Sequence, residues 1–429
     1  MPQLLPFHGL RPQPSVVGQL DDFVCPPYDV ISEQQRLGLL ARSPHNVVRL
    51  ELPAGDYEGA AATLSEWEHT GALVREPLPA LYGYRMTYKS PAGTTRQTTG
   101  VIGALVLEPP GRGILPHEQT TPKAKSDRLR LIRATRANIS PIWCLCTQPG
   151  LTSALLPPDG APSVGRAGGE DGPAPAMLTA TATDDDGNVH EIWPITDIAA
   201  HSRVAALVGA APVLVADGHH RYETALAYQA EQGTGGESGE KPGSNGRGDR
   251  PGAEAGDGDG EPGPNALLAL VVELSEEHLQ VQAIHRVVSS LPPGTDVRAA
   301  FGDFELLAAT AGSAGLLTEM TSKAGAGIVT REGAWVARPR PGSSAASAGL
   351  DSRRVDGALS TLPAHHLEYE HDFLAALRSV ESGQADAAVL CRPATVAQIA
   401  ATAQGGDRMP PKTTFFWPKP RTGLVIRAF

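Results

Sequence analysis

Apolar and polar positions change their period several times along the chain. Leu81 to Tyr88 is rich in aromatic residues and predicts a strand; Thr99 to Leu107 predicts a second, with a hairpin turn between them. Ser126 is placed to cap a helix running to about Ala137, with Asp127 favourable in its first turn. Pro212 to Ala216 predicts a short buried strand, followed by a turn and a helix from about Arg221 to Gln229. Leu267 to Leu274 predicts another apolar strand, Asp372 to Glu381 a short helix, and Ala387 to Cys391 a strand. Alternation of this kind predicts a mixed α/β fold.

Two stretches interrupt the pattern. Pro157 to Pro175 is dominated by Pro, Gly and Ala, and Gly233 to Pro264 is a Gly/Ser/Glu/Asp/Pro tract with almost no apolar residue. The second cannot offset its ordering entropy by burial and is expected to be disordered. A weaker break is expected at Arg340 to Ser352. With 429 residues the chain exceeds one ordinary core. We expect one region over 1–290, carrying both insertions, and a C-terminal α/β portion over 291–429.

Charge and cysteine usage narrow the classes of function. A net charge of −11 argues against nucleic acid as a partner, because phosphate backbones select positive surfaces. It leaves room for a small basic pocket. Four cysteines make no disulfide framework, and Cys144 and Cys146 lack the second pair that a zinc ribbon needs. Such usage suits a reducing cytoplasm. No signal peptide is evident, and no stretch reaches the roughly 18 apolar residues of a membrane helix. The expected partner is a small-molecule substrate, with no membrane; the oligomeric state is not set by the sequence.

The segment richest in chemistry is Asp217-Gly218-His219-His220-Arg221, where an apolar strand empties into a helix. The first N–H groups of a helix lack internal partners and carry the positive end of its dipole, so they suit an anion. Gly218 allows close approach of the backbone. Arg221 is placed to grip a phosphate through two parallel hydrogen bonds, and His219 and His220 add donors that titrate near neutrality. Asp217 is a candidate to orient a histidine or to hold Mg²⁺ through oxygen.

Upstream, Glu118 in Pro116-His117-Glu118 is the candidate general base. Lys123, Lys125, Arg128, Arg130, Arg133 and Arg136 follow, opposed only by Asp127; Arg130, Arg133 and Arg136 fall at helical spacing as one basic stripe. The stripe is a candidate to neutralise a di- or triphosphate, and Asn138 to cap the helix or contact the ligand. Lys412 is a further candidate phosphate contact. Tyr28 and Asp29 form a rigid turn after two prolines.

Asp-Gly-His-His-Arg followed by a helix resembles the signature of the ParB/sulfiredoxin superfamily, and is most similar to its free-serine kinases. The reactive cysteine of sulfiredoxin is replaced by His219, and no helix-turn-helix like that of ParB is evident, which removes sulfinic-acid repair and partitioning. Pro26 to Ser32, Asn46 to Leu50, Pro116 to Glu118, Arg133 to Asn138 and Met409 to Lys412 resemble blocks of a conserved prokaryotic family, domain of unknown function 1015. The resemblance implies a ParB/sulfiredoxin-like core with an added C-terminal α/β portion. It also implies a nucleotide (ATP or ADP) or pyrophosphate at the loop, with Mg²⁺, and a kinase acting on a small hydroxyl compound such as free L-serine, with Glu118 as its catalytic glutamate. Two alternatives stand beside it: a non-enzymatic nucleotide-binding regulator, and a phosphatase or relay enzyme with His219 or His220 as nucleophile.

Overall fold

The hairpin expected near residue 90 lies inside a large sheet. The computed structural model describes residues 1–90, 93–109, 111–116, 122–155, 179–234, 262–310, 312–405, 409–410 and 412–429. They fall into two units: Met1–Pro116, Thr120–Leu274 and Pro418–Phe429 in the first, Ser275–Trp417 in the second.

The strands of the first unit's main sheet are β1 (Leu4–Leu5), β2 (Leu81–Lys89), β3 (Thr95–Val106), β4 (Ile114–Pro116), β5 (Ile142–Cys146), β6 (Ala180–Thr183), β7 (Val189–Ile195), β8 (Val213–Asp217) and β9 (Ala266–Glu273). Their order is β4-β8-β5-β9-β3-β2-β7-β6, with β1 also beside β3. The pairs β4·β8 and β5·β9 are parallel, and the remaining pairs of this sheet are antiparallel. Strands β5, β8 and β9 read as unbroken apolar runs because they are buried on both faces. Val213, Val215, Ile142, Cys144, Ala269 and Val271 share one core cluster with Tyr222 and Ala225 of the helix after β8. Each fully buried Val or Ile contributes about 1.5–3 kcal/mol.

Two helices matter for the site: α1 (Pro122–Thr135) and α2 (His219–Thr234). Helix α1 begins at Pro122, where a missing N–H costs nothing, so Ser126 lies inside the helix and does not cap it. Helix α2 starts directly after Gly218 and outruns the expected Gln229. The first insertion, Pro157 to Pro175, and most of the second lie outside the described residues. Arg340 to Ser352 is no break: it contains the helix Ser344–Ser347 and the start of another, Asp351–Leu359.

The boundary expected at 290/291 falls inside the second unit, since His285–Ser289 pairs with both Ala387–Leu390 and His366–Glu370. That unit's six-stranded sheet is antiparallel among its described strands. Its side chains alternate between two cores: Val288 and Val389 on one face, Val287 and Ala388 on the other. Pro418–Phe429 returns to the first unit for a physical reason. Arg427 is fully buried and donates to Asn138 Oδ1 and to the carbonyls of Ala266 and Gly263, and Ile426 exchanges backbone bonds with Leu10.

Candidate functional site

The turn after β8 is shaped by a bulge. Val215 faces Cys144 on β5, but the next partner of Trp143 is Asp217, so Ala216 is an extra residue and Asp217 is re-aimed at the strand's end. Gly218 follows at φ +92°, a conformation that side chains resist, and a Cβ there would sit 2.8 Å from the Ile142 side chain. Tyr222 then donates its N–H to Gly218, closing the first turn of α2. Asp217, Gly218 and His220 are half-buried, and His219 is 6% exposed.

Arg221 has a different task from the one expected of it. It is 8% exposed, and its guanidinium donates to Asp217 Oδ2 at 3.0 Å, Ser140 Oγ at 3.0 Å and the Pro141 carbonyl at 2.7 Å. The two terminal nitrogens of the buried guanidinium find these acceptors within its own turn and on the approach to β5, while Nε is buried without a hydrogen-bond partner. Its outward grip on a phosphate is therefore corrected: Arg221 braces the turn from beneath. Burial works against its charge, but Asp217, Asp29, Glu51 and Tyr28 outweigh it and raise its pKa.

Ser140 passes the contact on, donating to Glu51 Oε1 at 2.8 Å. Glu51 is 1% exposed and also accepts the Tyr28 N–H at 3.1 Å. Burial raises its carboxyl above the usual range, against the opposing pull of Arg128, Arg221, Ser140 and Tyr28. Arg128 donates to the Glu51 carbonyl at 2.7 Å and lies over the Tyr28 ring at 4.2 Å, with Arg221 6.0 Å from the same ring. A cavity of about 40 Å³ touches Glu51, Ser140, Arg221 and Thr224.

Asp217 is held between two cations, Arg221 on Oδ2 and Lys419 on Oδ1. Burial would raise its carboxyl, but Lys419 and Arg221 prevail and hold it well below the usual range. A carboxylate so engaged does not fit Mg²⁺. Among the described residues no group of three His, Cys, Asp or Glu side chains could hold a metal either. The expectation of Asp217 as a metal ligand is corrected on that ground.

The remaining candidates scatter. Glu118 lies outside the described residues; the backbone of Lys123 is in α1, but its side chain is not described. The basic stripe does not continue as one face. Arg130 is exposed, Arg133 forms an ion pair with Glu231 of α2, and Arg136 leaves the helix at φ +49°. Asn138 neither caps α1 nor points to solvent: it is buried, and its Oδ1 accepts from the Leu268 N–H and from Arg427. Lys412 belongs to the second unit, where its carbonyl accepts from Arg286. Tyr28 joins the cluster, and Asp29 lies close enough to favour the charge on Arg221.

Glu51, Ser140 and Lys419 were not legible as site residues. Glu51 directly follows the block Asn46 to Leu50, and Ser140 lies two residues beyond Asn138, so the block edges held the signal.

The matched blocks extend over most of the chain: the family described as "Protein of unknown function (DUF1015)" matches residues 4–356. The chain belongs to that family. No curated protein matches it. Among solved structures the DUF1015 chain is similar to a free serine kinase in complex with AMP, at 11% identity and TM-score 0.36, over 73% of this chain and 89% of that one. It is also similar to SbnI with a C-terminal truncation from Staphylococcus aureus, at 10% identity and TM-score 0.36, over 75% and 87%. A conserved hypothetical protein from Pyrococcus furiosus matches at 11% identity and TM-score 0.35, over 72% and 88%. Likeness at this level leaves the chain's own residues to decide its chemistry.

Proposed function

We propose that this DUF1015 protein is a phosphotransferase that moves a phosphoryl group from a nucleotide or pyrophosphate to a small hydroxyl compound, with free L-serine the first acceptor to test. The observation that carries the reading is the parallel register of β4 and β8, in which Pro116 pairs with Val215. Parallel neighbours end at the same sheet edge. Pro116 and the turn at Asp217 therefore lie at the same end of neighbouring strands. Two motifs about a hundred residues apart in sequence thus start from adjacent strand ends. The resemblance of the turn to that of the free-serine kinases supports the same reading.

In this scheme the donor supplies the phosphoryl group and the first-turn N–H groups of α2 hold its phosphate oxygens. His219 and His220 add donors beside them. Arg221, braced on Ser140 and Pro141, stiffens the turn that presents them. The exposed Arg130 and Arg136 contribute positive field, and Glu118 takes the proton from the attacking hydroxyl. Such catalysis needs positioning and charge neutralisation above all.

The test is incubation of the purified protein with L-serine and ATP, ADP or pyrophosphate, read as O-phosphoserine. Formation with any donor supports the proposal. Tight nucleotide binding without turnover across hydroxy amino acids assigns the site to a regulator instead. Phosphohistidine at His219 or His220 assigns it to a relay enzyme.

A further inference from the structure

The C-terminal return to the first unit closes on a buried histidine. His190, on β7, is 0% exposed, and both its ring nitrogens are engaged: Nδ1 with the Tyr84 hydroxyl at 2.9 Å and Nε2 with Asp184 Oδ2 at 3.0 Å. Tyr84 lies on β2, and Asp184 directly follows β6. Arg421 completes the ring of contacts. Its N–H donates to the Tyr84 hydroxyl at 2.9 Å, and its guanidinium pairs with Asp184 Oδ2 at 2.6 Å. Among the described residues, Asp184, Tyr84 and Arg421 are the titratable or charged groups that meet the imidazole.

Counting protons fixes the state of the ring. The Tyr84 oxygen already accepts from Arg421, and the hydroxyl has one proton to give, for which His190 Nδ1 is the acceptor. The imidazole is therefore neutral, with its own proton on Nε2 and donated to Asp184. A second proton would sit on Nδ1 and point at the Tyr84 oxygen. The buried Tyr84 hydroxyl would then have no acceptor among the described residues, and a further charge would enter beside Arg421. Asp184 does not take that proton instead. Burial opposes its charge, but His190, Arg421 and Asn188 hold its carboxyl well below the usual range. Burial also lowers the pKa of His190, against the support of Asp184.

We propose that this network is an acid-sensitive latch: when His190 takes up a proton, Tyr84 and Arg421 part, and the segment Pro418–Phe429 loosens from the rest of the first unit. Lys419, two residues before Arg421, contacts Asp217, so the loosening reaches the candidate site. The sign follows from linkage. The opened state binds the proton at the ordinary histidine value of about 6.5, and the closed state only at lower pH. Closure is therefore complete above that value and is lost as the pH falls below it. The latch holds or fails independently of what the turn binds.

The test is hydrogen exchange of the amides of residues 421–427 at about pH 7.5 and about pH 5, corrected for intrinsic rates, in the full chain and in His190→Gln. In the wild type these amides are expected to lose more than twofold in protection in acid, up to a ceiling of about thirtyfold set by the distance below the ordinary histidine value. Strand β9 is expected to lose less. His190→Gln, with no titrating ring, is expected to hold its protection within twofold. A wild-type change of twofold or less overturns the inference, as does an equal loss in His190→Gln or in β9. Should His190→Gln fail to fold, the ring itself decides, read by NMR on isotope-labelled histidine and assigned by its shift in Tyr84→Phe. A neutral ring protonated on Nε2 at about pH 7.5 supports the latch; a charged ring, or one protonated on Nδ1 alone, overturns it.

Discussion

Ser140 donates its hydroxyl to Glu51 at 2.8 Å while accepting Arg221 at 3.0 Å, so one small side chain couples a fully buried carboxylate to the buried arginine of the turn. Replacing it by alanine leaves Arg221 Nη1 with the Pro141 carbonyl alone and Glu51 Oε1 with the Tyr28 N–H alone. Ser140→Ala is expected to cost about 1–3 kcal/mol in urea unfolding, the penalty of underbonded buried groups. A loss under 0.5 kcal/mol would show the coupling to be idle.

Glu51 sets a pH dependence. Its folded pKa is raised, chiefly by burial, so the native state holds the proton more tightly than the unfolded chain does. Its contribution to stability is therefore full below the ordinary carboxyl range and declines as pH rises through the folded value. Glu51→Gln removes that titration. The stability of the wild type relative to this variant is expected to fall as pH is raised from about 4. Unfolding midpoints of both proteins at a series of pH values check this, and a rising difference contradicts it. Asp217 has the opposite sign: its depressed pKa gives stability that is present above the usual aspartate range and lost in acid.

Gly218 is the position where a methyl group does most damage. At φ +92°, with a Cβ 2.8 Å from Ile142 and 3.1 Å from Arg221 Nε, Gly218→Ala is expected to cost at least about 1–2 kcal/mol. It should also lower ADP affinity, because Arg221 and the start of α2 must shift together. Unchanged thermal stability and unchanged ADP binding would place the ligand elsewhere.

Glu118→Gln separates binding from chemistry. A lost general base is expected to cut O-phosphoserine formation by about 10²–10⁴-fold while the protein still binds ADP. Equal losses of binding and turnover would assign Glu118 to the donor site and leave proton transfer to another group.

Much of the architecture was written in short-range pattern. The hairpin β2–β3, the buried β8, the strand β9 and the helix Phe373–Glu381, with Asp372 accepting the N–H groups of Leu374 and Ala375, all follow from adjacent residues. So does the turn at Gly218, because a strand, a glycine and a polar helix start are neighbours in the chain. The basic stripe failed for an equally physical reason. Helical spacing brings arginines to one face of a helix but does not say what that face meets, and Arg133 meets Glu231 on α2.

By itself the sequence determined the mixed α/β class and the location of the turn at Gly218, since these depend on periodicity and local backbone chemistry, and its motif blocks carried the resemblance to the family. Only the tertiary structure decided which cation stands on which carboxylate. Lys419 reaches Asp217 across 202 positions because the last residues fold back into the first unit, and Arg221 turns inward because Ser140 and Pro141 accept its donors there. Charges pair with whatever the packed chain brings within a few ångströms, and separation along the sequence carries no record of that distance.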